Sequence, residues 1–209
     1  MEIVKKFNLI NTHIVRNCYS SRCKYSLHTH TVELECCWGS NNVDNAGMVM
    51  DFGLIKDTIK KFIMLFDKSV LIWKKDNPEY IDFVKQTTDR WIEIPFSPSA
   101  EQLSAMYTYA LTYFTKAIQF SNNEKGVKYL YTVYHETRTG RAKTTINDAN
   151  TLIMDQQVLL EPGLFTWGPA FHDKDSVALH LPDMYDKIKT TPPEQQVVVG
   201  NKGGDNVFT

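Results

Sequence analysis

Residues 28 to 38 alternate well between two kinds of side chain, which strongly constrains the local fold. His28, His30, Val32, Leu34 and Cys36 share one parity, and polar residues fill most of the other positions. This pattern predicts a half-buried strand whose apolar side also carries both histidines. Because residues two apart in a strand point to the same face, the two imidazoles can converge without a special turn.

A second apparent strand, over residues 3 to 17, contains a third histidine. Phe7, Leu9, Asn11 and His13 share one parity, so His13 lies at the end of a mostly apolar face. His13, His28 and His30 would together present a three-nitrogen face. Such a face suits zinc and leaves a fourth tetrahedral position for water or substrate. The alternative is that the three histidines are packed polar residues of an unrelated fold.

Composition narrows the class of protein. The chain has 209 residues, of which 43% are hydrophobic and 22% charged, with a net charge of −1. These values predict a globular protein with no broad electrostatic attraction to nucleic acid or membrane. No apolar run approaches the roughly 20 residues of a membrane span. The first residues lack an apolar signal stretch, so we expect a cytoplasmic protein whose four cysteines are thiols.

The remaining periodicity predicts an α+β fold. Helices are expected over residues 51 to 66 and from Pro98 onward, where Ser99 and Gln102 have capping-box spacing. Residues 67 to 97 are less regular, with a loop at 73 to 78 and a short strand at 91 to 94. Strands follow at 127 to 136 and 142 to 146. The strand-strand-helix-helix-strand-strand order predicts two helices on one face of an antiparallel sheet, within a domain of residues 1–149.

Residues 150–209 are expected to form a C-terminal extension that is partly flexible. They contain five of the eight prolines and end in a glycine-rich segment. His172 and His180 match no motif and are interpreted as surface or structural histidines. His135 is expected on the sheet face opposite the other histidines. The extension could bind an unknown partner.

Five local motifs, in order, resemble the 6-pyruvoyl-tetrahydropterin synthase and 6-carboxytetrahydropterin synthase family. The first two are His13 and the pair His28-Thr29-His30, where the family has H-G-H. The others are Gly47-Met48-Val49-Met50-Asp51-Phe52 with Lys56, then Pro98-Ser99-Ala100-Glu101-Gln102, then Glu136-Thr137. The resemblance covers roughly residues 5 to 146 and implies the tunnel fold of that family. It also implies a homo-oligomer, a hexamer of two stacked trimers with sites between subunits.

The resemblance implies a chemistry and a role for each matching residue. The substrate would be 7,8-dihydroneopterin triphosphate, converted to a 6-pyruvoyl product or to a 6-carboxy product on the way to 7-deazaguanines such as queuosine. His13, His28 and His30 would hold zinc, and Glu136 would anchor the pterin ring with support from Glu101. Cys23, just before the histidine pair, would move protons, with Cys18 as second choice.

Asp67-Lys68 departs from the family pattern. The family has Asp-His here as a proton relay, and this chain has lysine in place of the histidine. Lys68 could act as a base only with a strongly lowered pKa, and as a cation it could instead bind the triphosphate. A second hypothesis is therefore a family-derived binding or structural protein with impaired turnover.

Overall fold

Seven strands and five α-helices make up the structure, a computed structural model that describes residues 1–152 and 165–171 apart from the side chains of residues 57 and 58. The strands are β1 Glu2–His13, β2 His28–Gly39, β3 Ser69–Trp73, β4 Trp91–Ile94, β5 Lys128–His135, β6 Arg141–Thr145 and β7 Thr166–Trp167. The α-helices are α1 Ser21–Tyr25, α2 Lys61–Leu65, α3 Pro78–Thr87, α4 Ala100–Ala117 and α5 Ile146–Leu152. Shorter 3₁₀ turns span Phe52–Ile55 and Pro169–Phe171, and a π turn spans Lys56–Lys60.

All seven strands lie in one sheet, in the order β6-β5-β2-β1-β3-β4-β7. The pairs β1–β2, β2–β5, β5–β6 and β4–β7 are antiparallel, whereas β3 is parallel to both β1 and β4. In β1 and β2 the residues of the apolar parity face each other, as Phe7 opposite Leu34 and Leu9 opposite Val32 show. The alternation of the sequence thus fixes which face of the sheet is buried.

The core lies between that face and the helices. Phe62 and Phe66 pack edge-on against one another, with ring centroids 5.5 Å apart, and Phe62 meets Phe114 of α4 at 4.9 Å. Trp38 of β2 is fully buried, and its indole N–H donates to Thr115 Oγ1 over 2.9 Å. The predicted α+β fold, with helices packed on one face of the sheet, is confirmed. The sheet is mixed rather than antiparallel throughout, because β3 runs parallel to β1 and β4.

Several local predictions differ from the structure. The first strand ends at His13 rather than near residue 17, and the connection to β2 contains the short helix α1. The predicted helix from Asp51 to Phe66 begins as 3₁₀ and π turns and becomes α-helical at Lys61. The stretch from 67 to 97, predicted as mostly irregular, contains β3 and α3.

Both missed elements have a physical explanation. The strand β3 has a parallel neighbour on each side, and such strands are buried on both faces, so they read as apolar runs without alternation. Helix α3 begins where a loop was predicted, because Asn77 accepts the N–H of Glu79 over 2.8 Å and Pro78 occupies the first helical position.

Part of the C-terminal extension belongs to the same sheet. Helix α5 crosses the predicted boundary between residues 149 and 150, and β7 pairs with β4 through Ile92 and Trp167. Phe171 is 2% exposed and joins the main core. The division into two domains stays a prediction, and His172 and His180 lie outside the described residues. Within those residues, none of the helices combines the length and the apolar character that a bilayer crossing requires.

Candidate metal centre

The ladder between β1 and β2 brings the three predicted histidines together. His13 lies directly opposite His28, and His30 lies two residues further along β2, opposite Asn11. All three side chains therefore leave the same face of the sheet. Their candidate ligand nitrogens lie within 4.8 Å of one another, and the ring centroids are 4.8 to 5.2 Å apart. The arrangement is a compact group of three imidazoles at one end of the hairpin.

The burial of these rings tests whether a metal ion fits the group. His13 is fully buried, and neither of its ring nitrogens has a hydrogen-bond partner. The Nε2 atoms of His28 and His30 are also buried without a partner. Buried polar atoms rarely remain unpaired, because losing water without a replacement is costly. A cation bound between the three imidazoles would satisfy one nitrogen of each ring, so the residues fit a metal.

The protonation of the histidines also suits metal binding. Burial, followed by the neighbouring His28 and His30, lowers the pKa of His13 to about 3. Burial is also the main cause that lowers the pKa of His30. The His28 Nδ1 lies 2.9 Å from the Ser26 carbonyl oxygen, so this nitrogen must carry the proton and donate it. Its Nε2 then has a free lone pair, which is the common way of orienting a metal-binding histidine.

Glu136 places a carboxylate beside the three imidazoles. It follows the end of β5, which pairs with β2 so that His135 lies opposite Glu33. Its Oε1 lies 3.5 Å from His13 Nε2 and 3.8 Å from His30 Nε2. The side chain is 26% exposed, so it remains accessible to a ligand. The structure thus places the predicted pterin anchor beside the histidines, whereas the parity of His135 directs that ring to the opposite face.

Cys23, the predicted proton-moving thiol, lies on α1 in the connection between β1 and β2. Its side chain is partly exposed, and its carbonyl accepts the N–H of Val15 over 2.9 Å. Burial raises the pKa of Cys36 to about 12 and also raises that of Cys37. Cys23 and Cys18 are therefore the two thiols that solvent and a ligand can reach. The catalytic role of Cys23 stays a prediction.

Asp67 and Lys68 occupy the turn between α2 and β3. The Oδ1 of Asp67 accepts the N–H of Ile10 in β1 over 2.8 Å, so this carboxylate ties the turn to the sheet. Lys68 is exposed and has φ of 55°, in the left-handed region that non-glycine residues rarely occupy. Its backbone N–H donates to Ile10. In this arrangement the Asp67 side chain and the Lys68 N–H both form hydrogen bonds to the backbone of Ile10. The relay role of the two residues stays a prediction.

Glu101 lies in the first turn of α4, two residues after the predicted cap Ser99. Ser99 accepts the N–H of Gln102 over 3.4 Å, which confirms the capping half of the predicted motif. Glu101 itself is exposed. Its predicted support of Glu136 stays a prediction.

Comparison with known proteins decides the family. Residues 2–145 match the family model described as 6-pyruvoyl tetrahydropterin synthase. The chain belongs to this family. The match contains the three histidines, Cys23, Asp67, Lys68 and Glu136, so the predicted site lies within the part that defines the family.

Relatives extend the similarity beyond that domain. The 6-carboxy-5,6,7,8-tetrahydropterin synthase of Helicobacter pylori is 33% identical over 180 residues, which cover 84% of this chain and 88% of the relative. A protein of the same name from Aquifex aeolicus is 30% identical over 121 residues, covering 56% of this chain and 73% of the relative. The Helicobacter match is longer than residues 2–145, so it includes part of the C-terminal extension.

A solved structure supports the fold. The crystal structure of an uncharacterized protein from Wolinella succinogenes superposes with a TM-score of 0.54 at 17% identity, covering 70% of this chain and 98% of that one. At this identity the likeness concerns the fold alone.

Two further polar residues of this family member lie beside the histidines and were not predicted. Asn11, opposite His30 in the ladder, is buried, and its Nδ2 donates to the hydroxyl of Tyr134 over 2.8 Å. Tyr134 lies on β5, whose pairing with β2 is not evident from local periodicity. The one available signal was Asn11 itself, a polar residue of the apolar parity in β1.

Proposed function

We propose that this protein is a zinc-dependent tetrahydropterin synthase that acts on 7,8-dihydroneopterin triphosphate. The observation that carries the proposal is the group of buried, unpartnered imidazole nitrogens with a carboxylate beside it. The product would be of the 6-carboxytetrahydropterin type rather than the 6-pyruvoyl type. The names of the Helicobacter and Aquifex relatives support that choice.

Each residue of the site would have a distinct role. His13, His28 and His30 would hold the zinc ion, which when bound supplies Lewis-acid polarisation of the substrate's side-chain hydroxyls. Glu136 would accept two adjacent N–H groups of the pterin ring in a charge-assisted pair, with Glu101 in support. Cys23 would move protons at the substrate side chain, because a thiol near positive charge ionises readily.

A second candidate function is supported by the turn between α2 and β3. Lys68 replaces the relay histidine that the family resemblance implies, and the Asp67 carboxylate already accepts a backbone N–H of β1. A protein with this turn could bind zinc and pterin without turning the substrate over. It would then serve as a binding or structural member of the family.

One experiment separates the two candidates. The purified protein is loaded with zinc, its metal content is measured, and it is incubated with 7,8-dihydroneopterin triphosphate with and without an acetaldehyde trap. Mass spectrometry of the pterin should show a 6-carboxytetrahydropterin product. Unchanged substrate, from protein that retains one zinc ion per chain, would instead favour the binding role.

Variants of the same protein assign the residues. Cys23→Ala should abolish turnover while zinc content stays unchanged, whereas Cys18→Ala, the other accessible thiol, should retain turnover. Equal turnover in both variants would exclude a catalytic role for Cys23. If the wild-type protein is inactive, Lys68→His should restore product formation. That gain would support the second candidate for the natural protein.

The assembly and location of the protein are also proposals. The sheet ends in β6 on one side and the two-residue β7 on the other, and unpaired edges favour association. We expect a homo-oligomer, a trimer or hexamer, in the cytoplasm. The C-terminal extension could contribute contacts to a partner.

A further inference from the structure

The Glu136 carboxylate lies close to two of the three histidines. The Oε1 of Glu136 is 3.5 Å from His13 Nε2 and 3.8 Å from His30 Nε2. Both distances exceed those of N–H···O hydrogen bonds, and neither nitrogen has a hydrogen-bond partner. The carboxylate therefore faces two unpaired nitrogens without bonding directly to them. A shared partner between the oxygen and the nitrogens would satisfy both groups.

The two distances from Glu136 are close to those between neighbouring ligands of one metal ion. Tetrahedral zinc has bonds of about 2.0–2.2 Å to nitrogen and oxygen, which places neighbouring ligand atoms roughly 3.3–3.6 Å apart. Glu136 also follows the end of β5, whereas the histidines lie on β1 and β2. A carboxylate is also an ordinary zinc ligand.

We propose that Glu136 is the fourth protein ligand of the metal in the resting protein, and that it leaves the metal when the pterin ring binds. This inference depends on the proposed zinc site. The carboxylate that would anchor the ring is the same group that would close the metal site. Binding of the ring therefore opens a coordination position for the substrate's hydroxyls. The metal is shielded from solvent anions until the substrate is in place.

The test uses metal binding and anion access, not turnover. Zinc affinity is measured by competition with a chelator, and azide binding is followed in the visible spectrum of the cobalt-substituted protein. Glu136→Gln keeps the size of the side chain but removes its charge. We expect it to bind zinc at least about tenfold more weakly. We also expect its cobalt form to bind azide at least about tenfold more tightly than the wild-type cobalt form, because the fourth position is open.

Two further variants make the comparison specific. Glu33→Gln removes a carboxylate from the opposite face of the sheet, where it pairs with Lys6 over 2.7 Å, and should match the wild-type protein in both measurements. Glu136→Asp keeps the charge on a shorter side chain, so its azide affinity should lie between those of the wild-type protein and Glu136→Gln. It also serves as the test variant if Glu136→Gln does not fold.

Three outcomes would overturn the inference. The first is that Glu136→Gln binds zinc and azide as tightly as the wild-type protein does. The second applies if Glu136→Gln does not fold, and is that Glu136→Asp binds zinc and azide as tightly as the wild-type protein does. The third is a wild-type protein that binds no zinc, which would also overturn the proposed metal site. A protein that binds zinc, shows the Glu136 effect and forms no product would support this inference while contradicting the proposed synthase activity.

Discussion

Asn11 and Tyr134 form a buried polar pair directly beside the histidines. The Asn11 amide donates to the Tyr134 hydroxyl over 2.8 Å, and burial raises the pKa of Tyr134, so the hydroxyl keeps its proton. Asn11 is opposite His30 in the ladder, so the pair fixes a side chain next to a metal-binding candidate. Buried pairs of this kind are costly to break, because the remaining partner stays dehydrated.

The first prediction concerns this pair. Tyr134→Phe removes the acceptor of the Asn11 amide and leaves a buried donor unpaired. We expect the free energy of unfolding to fall by about 1–3 kcal/mol, measured by urea denaturation. Tyr19→Phe is the control, because Tyr19 is fully exposed and its loss of a hydroxyl should change stability by less than about 0.5 kcal/mol. Equal stability of Tyr134→Phe and wild type would contradict the buried pair.

At the scale of elements, Asp44 organises the connection between β2 and the first helical turn. Its Oδ1 accepts the N–H groups of Ala46 and Met48 over 2.9 and 2.8 Å, and its Oδ2 accepts from Asn122 Nδ2 over 2.9 Å. The backbone N–H of Met48 is the main cause that lowers the pKa of Asp44. Burial opposes it, and Asn122 and Ala46 lower the pKa by smaller amounts. The ionised carboxylate thus holds this segment in place.

The second prediction is a pH dependence. Because the pKa of Asp44 is lower in the folded than in the unfolded protein, its stabilising effect is complete above the unfolded value, near 4. It is lost as pH falls through the folded value. Asp44→Asn should therefore lower the urea midpoint at pH 6, and the difference from wild type should shrink below about pH 4. Asp82→Asn, at an exposed position of α3, should show no such difference. A constant difference at all pH values would contradict the charge effect.

The same elements explain how much could be predicted from the sequence. Alternation fixed the faces of β1 and β2, so the convergence of His13 with His28 and His30 was predictable from local pattern. The approach of Glu136 to His13 depends on the pairing of β5 with β2, which was available only through the family resemblance. Asn11 and Tyr134 are brought together by the same long-range pairing, and no local periodicity reports it. The sequence therefore predicted the three histidines of the candidate metal centre but not Asn11 and Tyr134 beside them.

At the scale of the whole molecule, the described part of the extension is connected to the turn that carries Asp67. Phe171 packs against Trp167, with ring centroids 5.2 Å apart, and the Arg90 guanidinium lies 4.6 Å from the centre of its ring. Arg90 in turn donates to the carbonyl of Asp67 over 2.9 Å. The contact with Phe171 thus stabilises the side chain of Arg90, and Arg90 in turn holds the turn that precedes β3.

The third prediction tests whether this contact is part of the fold. Phe171→Ala would leave a cavity in the main core, so we expect the free energy of unfolding to fall by about 3–5 kcal/mol in urea denaturation. Phe83→Ala is the matched control, because Phe83 is 58% exposed and its truncation leaves no cavity. Equal stability of the two variants would mean that residues 165–171 do not pack on the core in solution. A large fall in the free energy of unfolding in Phe171→Ala alone would mean that the stability of the family domain depends on its extension. The link is Arg90, which joins Phe171 to the Asp67 turn.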